Sequence, residues 1–393
     1  MALQHSRVVQ LSVVGLALLA ASLFFKKKKP SPHEKYYSDD YYTARDKFRA
    51  ASDGKGKTYQ LQITEKYTTD ILVYPGSKSK LLVVISGVHG VEGYAGSAIQ
   101  LALLEKFKPT GKDHPTVVFV HALNPYGMAE FRRWNENGVD LNRNYLSKEE
   151  FAELRQSDPN VNGYVNMFDM LNPKYVPNPW TDFFYAKSIY YILKYGYLSV
   201  KRAIVCGNYH FENSVFFGGY ELQKSHVLLT EFLKTHIDVD AVKRVAFIDI
   251  HTGLGPAGFD TLMVEHTGRD IMKTKSIDDE FRAHAALLGD PNDSASSGYD
   301  AVNGTAISGL CKLFKNSEYN ALITQEFGTV SSLKVFRALR AEAAAYRIAK
   351  EDRKGYDKAV RDVFYSWKDP EWKTSIVERG IRVFEQMYDS LNE

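Results

Sequence analysis

The chain has 393 residues, of which 44% are hydrophobic, and 50 Lys and Arg stand against 47 Asp and Glu. This length and apolar content allow a large core, so disorder cannot describe the whole chain. The net charge of +3 gives no sign of a nucleic acid partner. Two cysteines exclude a disulfide framework and a four-cysteine metal site, and they suit a reducing compartment.

The first 29 residues form an apolar segment followed by a basic one. Residues 8–25 carry no charge, and their number is close to the minimum for a helix that crosses the roughly 30 Å hydrocarbon layer. Because this run ends in two phenylalanines directly before four lysines, we favour an uncleaved membrane anchor over a cleaved signal peptide. The lysines predict a single-pass protein with an anchor over 1–29, a linker over 30–40, and residues 41–393 on the cytoplasmic side.

The remaining chain alternates short apolar runs with longer helical patterns. The apolar runs, rich in β-branched residues, are LLVVISG from Leu81, TVVFVHA from Thr116, VAFIDI from Val245 and ALITQEF from Ala321. Helices are predicted over 93–107, 222–236 and 332–351. This order predicts an α/β fold with a mixed, mostly parallel central sheet and helices on both faces. Ligands of such sheets bind beyond the carboxyl ends of the strands.

A histidine and a glutamate stand three residues apart after the first apolar run. In SGVHGVEG, His89 and Glu92 can converge on one cation, since Gly87, Gly90 and Gly93 allow a sharp turn. A catalytic zinc takes three protein ligands and leaves one position for water. The alternative is a structural pair, in which the histidine caps the strand and the glutamate favours the N-terminus of the helix.

Strand ends supply the candidates for a third ligand and for a base. We choose His251, which follows the strand in VAFIDIHTGLG, over His121 and His210, for which a structural or substrate-facing role is favoured. Glu326 ends the strand in ALITQEFGT, where an unpaired carboxylate is costly. Beside a metal it would serve as a general base, and the alternative is a salt bridge at the edge of the core.

Residues 121–145, HALNPYGMAEFRRWNENGVDLNRNY, combine two arginine clusters with asparagines around a tight turn. Near a metal, a guanidinium group can hold a substrate carboxylate or stabilise an oxyanion. The alternative is a solvated loop held by surface ion pairs.

Taken in order, HxxE, NPYG with GVDLNRN, a strand-end histidine and a strand-end glutamate resemble the zinc carboxypeptidase family over about residues 80–330. SGVHGVEGYAGSAIQ, DIHTGLGPAG and QEFGT are similar to a little-characterised branch of that family. The resemblance implies a catalytic domain over 41–393 with one zinc ion bound by His89, Glu92 and His251, and with Glu326 as the general base. The family's NPDG is NPYG here, so a substrate preference does not transfer.

The resemblance also implies roles in the arginine-rich segment. Asp140 would orient His89, because a carboxylate on the second ring nitrogen fixes the tautomer and raises the basicity of the ligand. Arg133 would polarise the scissile carbonyl, although the motif does not separate it from Arg132.

Asn142 and Arg143 match the pair that holds the terminal carboxylate of the substrate in the family. The planar guanidinium of Arg143 suits a carboxylate better than a lysine would. The family's substrate-capping tyrosine has no match in these motifs, and Tyr299 in SSGYDAVNG is the candidate for it.

These residues predict a zinc-dependent hydrolase that cleaves an amide bond, a carboxypeptidase acting on a peptide or acyl-amino acid with a free carboxylate. Two alternatives remain open: a deacylase of N-acyl amino acids or related amides, and a noncatalytic membrane-tethered binding protein. The predicted partners are the substrate and, through the N-terminal helix, a membrane. No nucleic acid partner is expected.

Residues 178–198, NPWTDFFYAKSIYYILKYGYL, form the most aromatic stretch of the chain. Packing of a helix in the core is the favoured interpretation. An apolar substrate pocket or a membrane interface, where tyrosine and tryptophan are favoured, are the alternatives.

Overall fold

The structure, a computed structural model, describes residues 29–109, 113–178, 182–290, 302–349, 354–366 and 368–393. The predicted membrane anchor lies outside these residues, apart from Lys29, and so does Tyr299. Within the described ranges, no helix is long and apolar enough to cross a membrane.

Eight strands of the described chain form one sheet in the order β1-β2-β4-β3-β5-β8-β6-β7. The strands are β1 Lys57–Gln62, β2 Thr68–Tyr74, β3 Ser77–Ser86, β4 Pro115–His121, β5 Arg244–Gly253, β6 Asp260–Arg269, β7 Ala285–Leu287 and β8 Tyr319–Gly328. The central strands β4, β3, β5 and β8 run parallel, and antiparallel pairs at β1-β2, β2-β4 and β8-β6 continue the sheet outward. The predicted α/β class with a mixed, mostly parallel sheet is confirmed.

Helices cover both faces of this sheet. They are α1 Tyr41–Ser52, α2 Gly93–Lys106, α3 Pro125–Ala129, α4 Lys148–Gln156, α5 Phe168–Leu171, α6 Phe184–Tyr195, α7 Tyr197–Val205, α8 Lys224–His236, α9 Asp279–His284, α10 Ala306–Cys311, α11 Ser332–Ile348, α12 Lys354–Phe364 and α13 Pro370–Ser390. Alternate residues of β3 divide between the two layers, because successive side chains of a strand point to opposite faces. Leu82 and Val84 belong to the core with α2 and α13, and Leu81 and Val83 to the core with α8 and α10.

The predicted strands and helices are all present, with ends that differ by a few residues. The predicted linker, residues 30–40, contains a 3-10 turn at Glu34–Tyr36, and Tyr36 and Tyr37 are buried in the core. The hydroxyl of Tyr37 donates a 2.8 Å hydrogen bond to the carbonyl of Lys373 in α13. These contacts hold the segment before α1 against the domain.

The turn between β3 and α2 contacts α3 at the carboxyl end of the sheet. Gly87 adopts a φ of +66°, in the left-handed region that glycine tolerates. A Cβ on Gly90 would lie 2.1 Å from the backbone of Gly127 in α3, so any larger residue would force these segments apart. The close approach places the start of α2 next to the arginine-rich loop.

Candidate metal centre

His89, Glu92 and His251 meet at the carboxyl ends of β3 and β5. The Nδ1 atom of His89 lies 3.0 Å from Oε1 of Glu92 and 3.0 Å from Nδ1 of His251, which in turn lies 3.0 Å from Oε2 of Glu92. All three side chains are buried. The structure thus joins three predicted ligands that are as much as 162 residues apart in the chain.

Each imidazole presents its second nitrogen to a buried carboxylate. Nε2 of His89 lies 3.0 Å from Oδ1 of Asp140, and Nε2 of His251 lies 2.8 Å from Oδ2 of Asp249, although off the direction of an ideal hydrogen bond. These carboxylates favour a hydrogen on each Nε2, which leaves Nδ1 as the lone-pair atom.

This tautomer assignment gives a test of whether the site suits a metal. With hydrogens on both Nε2 atoms, two lone pairs and a carboxylate face one another at 3.0 Å, an arrangement that repels itself unless a cation or a proton lies between them. Ligands 2.0–2.1 Å from a tetrahedral zinc ion lie roughly 3.3 Å from each other. Two imidazole nitrogens and one carboxylate at these separations fit zinc.

The charges of the cluster are set by its neighbours. Burial alone would raise the pKa of Glu92, but the adjacent His89 and His251 hold that pKa below its usual value. Burial would also raise the pKa of Asp140, yet Arg133 and His89 keep it well below the usual range. The opposite holds for His251: burial lowers its pKa, but the surrounding carboxylates outweigh burial and raise it well above the usual value. The site therefore attracts positive charge.

Glu326 faces the cluster from the neighbouring strand. The register of β5 and β8 pairs His251 with Glu326, so in this parallel ladder both side chains lie on the same side of the sheet. The Oε1 atom of Glu326 accepts a 2.9 Å hydrogen bond from the backbone N–H of Leu254. Burial and the charge of Glu92 raise the pKa of Glu326 to about 7, so this carboxylate can both take and release a proton near neutral pH.

The structure shows which of the two neighbouring arginines, Arg132 or Arg133, faces the cluster, a choice that the sequence did not decide. Arg133 lines the cavity at the cluster, donates from Nε to Oδ2 of Asp140 at 2.9 Å, and lies 3.5 Å from Glu92. Arg132 pairs instead with buried Glu342 at 2.6 Å, under the ring of Tyr346. Of the two, only Arg133 reaches the cavity.

Asn142 and Arg143 also line the cavity, and both are partly committed to the backbone. Asn142 accepts a 3.0 Å hydrogen bond from the N–H of Ala306. Arg143 donates from Nε to the carbonyl of Val205 at 2.7 Å and from Nη1 to the carbonyl of Asn142 at 2.6 Å. Nη2 and the second hydrogen of Nη1 are the donors left for a ligand.

The cluster lies at one end of a cavity of about 370 Å³. Its polar end holds the three candidate ligands, Glu326, Arg133 and Arg143. The rest of its wall is mostly apolar, with side chains from α6, α7 and α11 that include Ile192, Val200, Ile204, Val335, Phe336 and Leu339.

The rival histidines lie elsewhere. Nε2 of His121 lies 2.9 Å from the hydroxyl of Ser97, and its ring stacks on Phe48, whereas Nε2 of His210 lies 3.1 Å from the carbonyl of Ser157. Neither histidine lines the cavity.

Sequence reasoning missed two carboxylates. Asp249 stands two residues before His251 in the same strand, and strand periodicity alone would have placed both on one face. Glu265 in β6 lines the cavity and accepts a 3.0 Å hydrogen bond from the hydroxyl of Thr305, and no motif in the sequence pointed to it.

A mostly parallel α/β sheet with two histidines and a glutamate at its strand ends defines an α/β protein with a candidate metal site. The chain belongs to the family described as "Protein of unknown function (DUF2817)", which matches residues 37–379. No curated protein matches the chain.

Several solved structures are similar to the chain at low identity. A protein of Shewanella baltica OS155, provisionally described as a metallopeptidase, is 11% identical with a TM-score of 0.35, over 79% of this chain and 90% of that one. Bovine thrombin-activatable fibrinolysis inhibitor, in complex with tick carboxypeptidase inhibitor, is 12% identical with a TM-score of 0.39, over 90% and 100%. A protein of Shewanella frigidimarina NCIMB 400, provisionally described as a succinylglutamate desuccinylase/aspartoacylase, is 15% identical with a TM-score of 0.33, over 76% and 72%.

Proposed function

We propose that the protein is a zinc-dependent hydrolase that cleaves an amide bond in substrates with a free carboxylate. The observation that carries this proposal is the arrangement of His89, Glu92 and His251, whose ligand atoms face one another while Glu326 lines the same cavity from the next strand. A protein that only bound a ligand would have no need of a buried carboxylate beside the metal ligands.

Zinc held by these three side chains would supply Lewis acidity, lowering the pKa of water and polarising the carbonyl of the substrate. Glu326 takes the proton of the attacking water and returns it to the leaving amine, a role that suits its raised pKa. Arg133 stabilises the oxyanion that develops on the carbonyl oxygen, and its hydrogen bond to Asp140 fixes the guanidinium for that purpose.

Arg143 and Asn142 recognise the carboxylate of the substrate. Because Nε and one hydrogen of Nη1 of Arg143 already donate to carbonyls, Nη2 provides a charged hydrogen bond to the substrate carboxylate, and the side-chain amide of Asn142 provides a further donor.

The apolar wall of the cavity favours a second candidate, a deacylase of N-acyl amino acids. In such a substrate the carboxylate lies on one side of the scissile amide and an apolar acyl group on the other, which matches a cavity with a cationic end and an aliphatic remainder.

Metal analysis and a substrate panel test the proposal. We expect about one zinc ion per chain in the purified protein and little in the His89→Ala variant. Iron in place of zinc would contradict the metal assignment, since two histidines and a carboxylate are also the ligands of many iron oxygenases.

The panel contains dipeptides, longer peptides and N-acyl amino acids, each with a free and an amidated carboxyl group. We expect hydrolysis of the free acids, and a rise of about tenfold or more in KM for these acids in the Arg143→Lys variant. Equal turnover of free and amidated forms would remove Arg143 from substrate recognition. Activity confined to acyl-amino acids would select the deacylase, and a zinc-loaded protein inactive on every amide would favour the noncatalytic alternative.

A further inference from the structure

The helical hairpin of α6 and α7, residues 184–205, is apolar on two opposite sides. One side of α6 packs on the domain, where Phe184 and Ser188 are buried and Tyr191 and Tyr195 contact the core. The other side carries large apolar side chains into solvent. Sequence reasoning favoured burial of this stretch, and the structure shows burial for one side only.

We call the exposed side the hairpin face. Its residues are Tyr185, Ile189, Tyr190, Leu193, Tyr197 and Leu198. Leu193 is 81% exposed and Tyr197 is 62% exposed. Six large apolar side chains exposed on one short hairpin mark an interaction surface, because exposed apolar surface of this kind is normally covered by a protein or a lipid partner.

The charges of the hairpin have one sign. Residues 184–205 contain four basic residues, Lys187, Lys194, Lys201 and Arg202, and no Asp or Glu. Lys187 and Lys194 lie two helical turns apart along one edge of the hairpin face. Lys187 is 3.4 Å from Asp182, and the ammonium of Lys194 lies over the ring of Tyr195. Lysines that border an apolar, tyrosine-rich stripe are typical of helices that lie in the surface of an anionic bilayer.

We propose that the hairpin face docks on a membrane that contains anionic lipid. Charge complementarity favours this occupant, because each basic residue near an anionic membrane surface is attracted to it. A second copy of the chain fits poorly, because in a twofold contact Lys194 of one hairpin face would find no Asp or Glu among residues 184–205 of the other to pair with.

The position of the N-terminal end of the described chain is consistent with docking of the hairpin face on a membrane. The apolar run of the predicted anchor, residues 8–25, ends four residues before the first described residue, Lys29. Tyr37 stacks on Tyr365 with ring centroids 6.0 Å apart, and Tyr365 follows Phe364, which lines the cavity. The N-terminal end of the described chain thus lies near a wall of the cavity, and an anchor would place it close to the bilayer.

Docking would also orient the cavity. Tyr197 and Leu333 both line the cavity and are exposed, so the opening lies beside the hairpin face. The docking does not depend on the proposed hydrolase activity, and binding measurements test it alone.

The test uses the full chain reconstituted into vesicles of phosphatidylcholine with and without phosphatidylserine. Leu193→Cys is labelled with an environment-sensitive fluorophore, and quenching by nitroxides placed along the lipid acyl chains is measured. The matched control is Val161→Cys, which is 67% exposed on a loop outside the hairpin. The wild-type chain, labelled in parallel, reports the background from Cys206 and Cys311.

We expect acyl-chain nitroxides to quench the label at 193 but not at 161, and only when phosphatidylserine is present. The quenching at 193 should fall at high salt and fall about fivefold or more in Lys194→Glu, in a protein that melts at the wild-type temperature. A label at 193 that stays in water in both vesicles would overturn the proposal. Burial of the label in the absence of lipid would also overturn it. Burial at all protein concentrations would indicate that residues 8–25 cover the hairpin face, and burial only at high concentration would indicate that a second copy covers it.

Discussion

The candidate metal centre and the hairpin face differ in where their polar and apolar side chains find partners. At the cluster, His89, Glu92 and His251 are buried, and every one of them meets an oppositely charged or hydrogen-bonding group. At the hairpin face, tyrosines and leucines lie in solvent on two helices that contain basic residues and no Asp or Glu. Buried charge requires partners within the protein, whereas exposed apolar surface requires a partner outside it.

The largest expected effect comes from the base of the proposed reaction. Glu326→Gln should lower kcat by about 10²- to 10⁴-fold, because the amide cannot take a proton from water. The zinc content should stay unchanged, since Glu326 is not among the proposed ligands.

Glu265→Gln is the matched control for Glu326→Gln, because it removes another carboxylate of the same cavity that is held by Thr305. Its kcat should stay within a few-fold of wild type. Similar losses in both variants would assign the effect to the charge of the cavity and not to a base.

A smaller effect is expected from the carboxylate that orients a ligand. Asp249→Asn should weaken zinc affinity about 10- to 100-fold, because His251 loses the negatively charged acceptor that favours a hydrogen on Nε2 and raises the basicity of the ligand. Competition with a chelator measures this affinity. Asp70→Asn is the control, since Asp70 is equally buried but pairs with Arg49 away from the cluster. An unchanged affinity in Asp249→Asn would show that Asp249 does not support His251.

A third prediction concerns a histidine that lies outside the cluster. Burial lowers the pKa of His121 to about 3. Below pH 6.5, His121 is protonated in the unfolded chain but stays neutral in the folded chain. The free energy of unfolding therefore falls as the pH drops toward 3. The contribution is about 1.4 kcal/mol per pH unit.

His121→Gln removes this contribution, so its free energy of unfolding should fall less steeply than that of wild type between pH 6.5 and 4. Urea unfolding at several pH values measures both slopes. His226, whose pKa burial lowers to about 4, contributes equally to both proteins and cancels in the comparison. Identical slopes would contradict the assignment of a neutral, buried His121.

The smallest effect is expected at the hairpin face. Leu193→Ala should change the free energy of unfolding by less than about 0.5 kcal/mol, because exposed side chains contribute little to folding. Leu233→Ala in α8, where the side chain is fully buried, should cost about 2–5 kcal/mol. A cost at Leu193 comparable to that at Leu233 would mean that the hairpin face is covered within the protein.

The sequence allowed the sheet and much of the site to be predicted because strand ends carry local information. His251 and Glu326 each follow a mostly apolar run, and parallel strands place such ends at one edge of the sheet. The choice between Arg132 and Arg133 depended on a partner far along the chain, Glu342, which no local pattern reveals.

The exposure of the hairpin face was not predictable for a related reason. A helix with apolar residues on all sides has the same sequence pattern whether protein or lipid covers it. Only the position of α6 relative to α11 and the rest of the domain decides which side chains, such as Phe184 or Leu193, are covered.

The distance along the chain between His89 and His251 has a consequence for folding. A cation held by both would act as a reversible cross-link that closes a loop of 162 residues. Closing a loop of this size in the unfolded ensemble is entropically costly, so the cross-link would favour the native topology over open alternatives. During synthesis the cross-link could form only after the ribosome had translated β5, because His251 must be present before a cation can join it to His89.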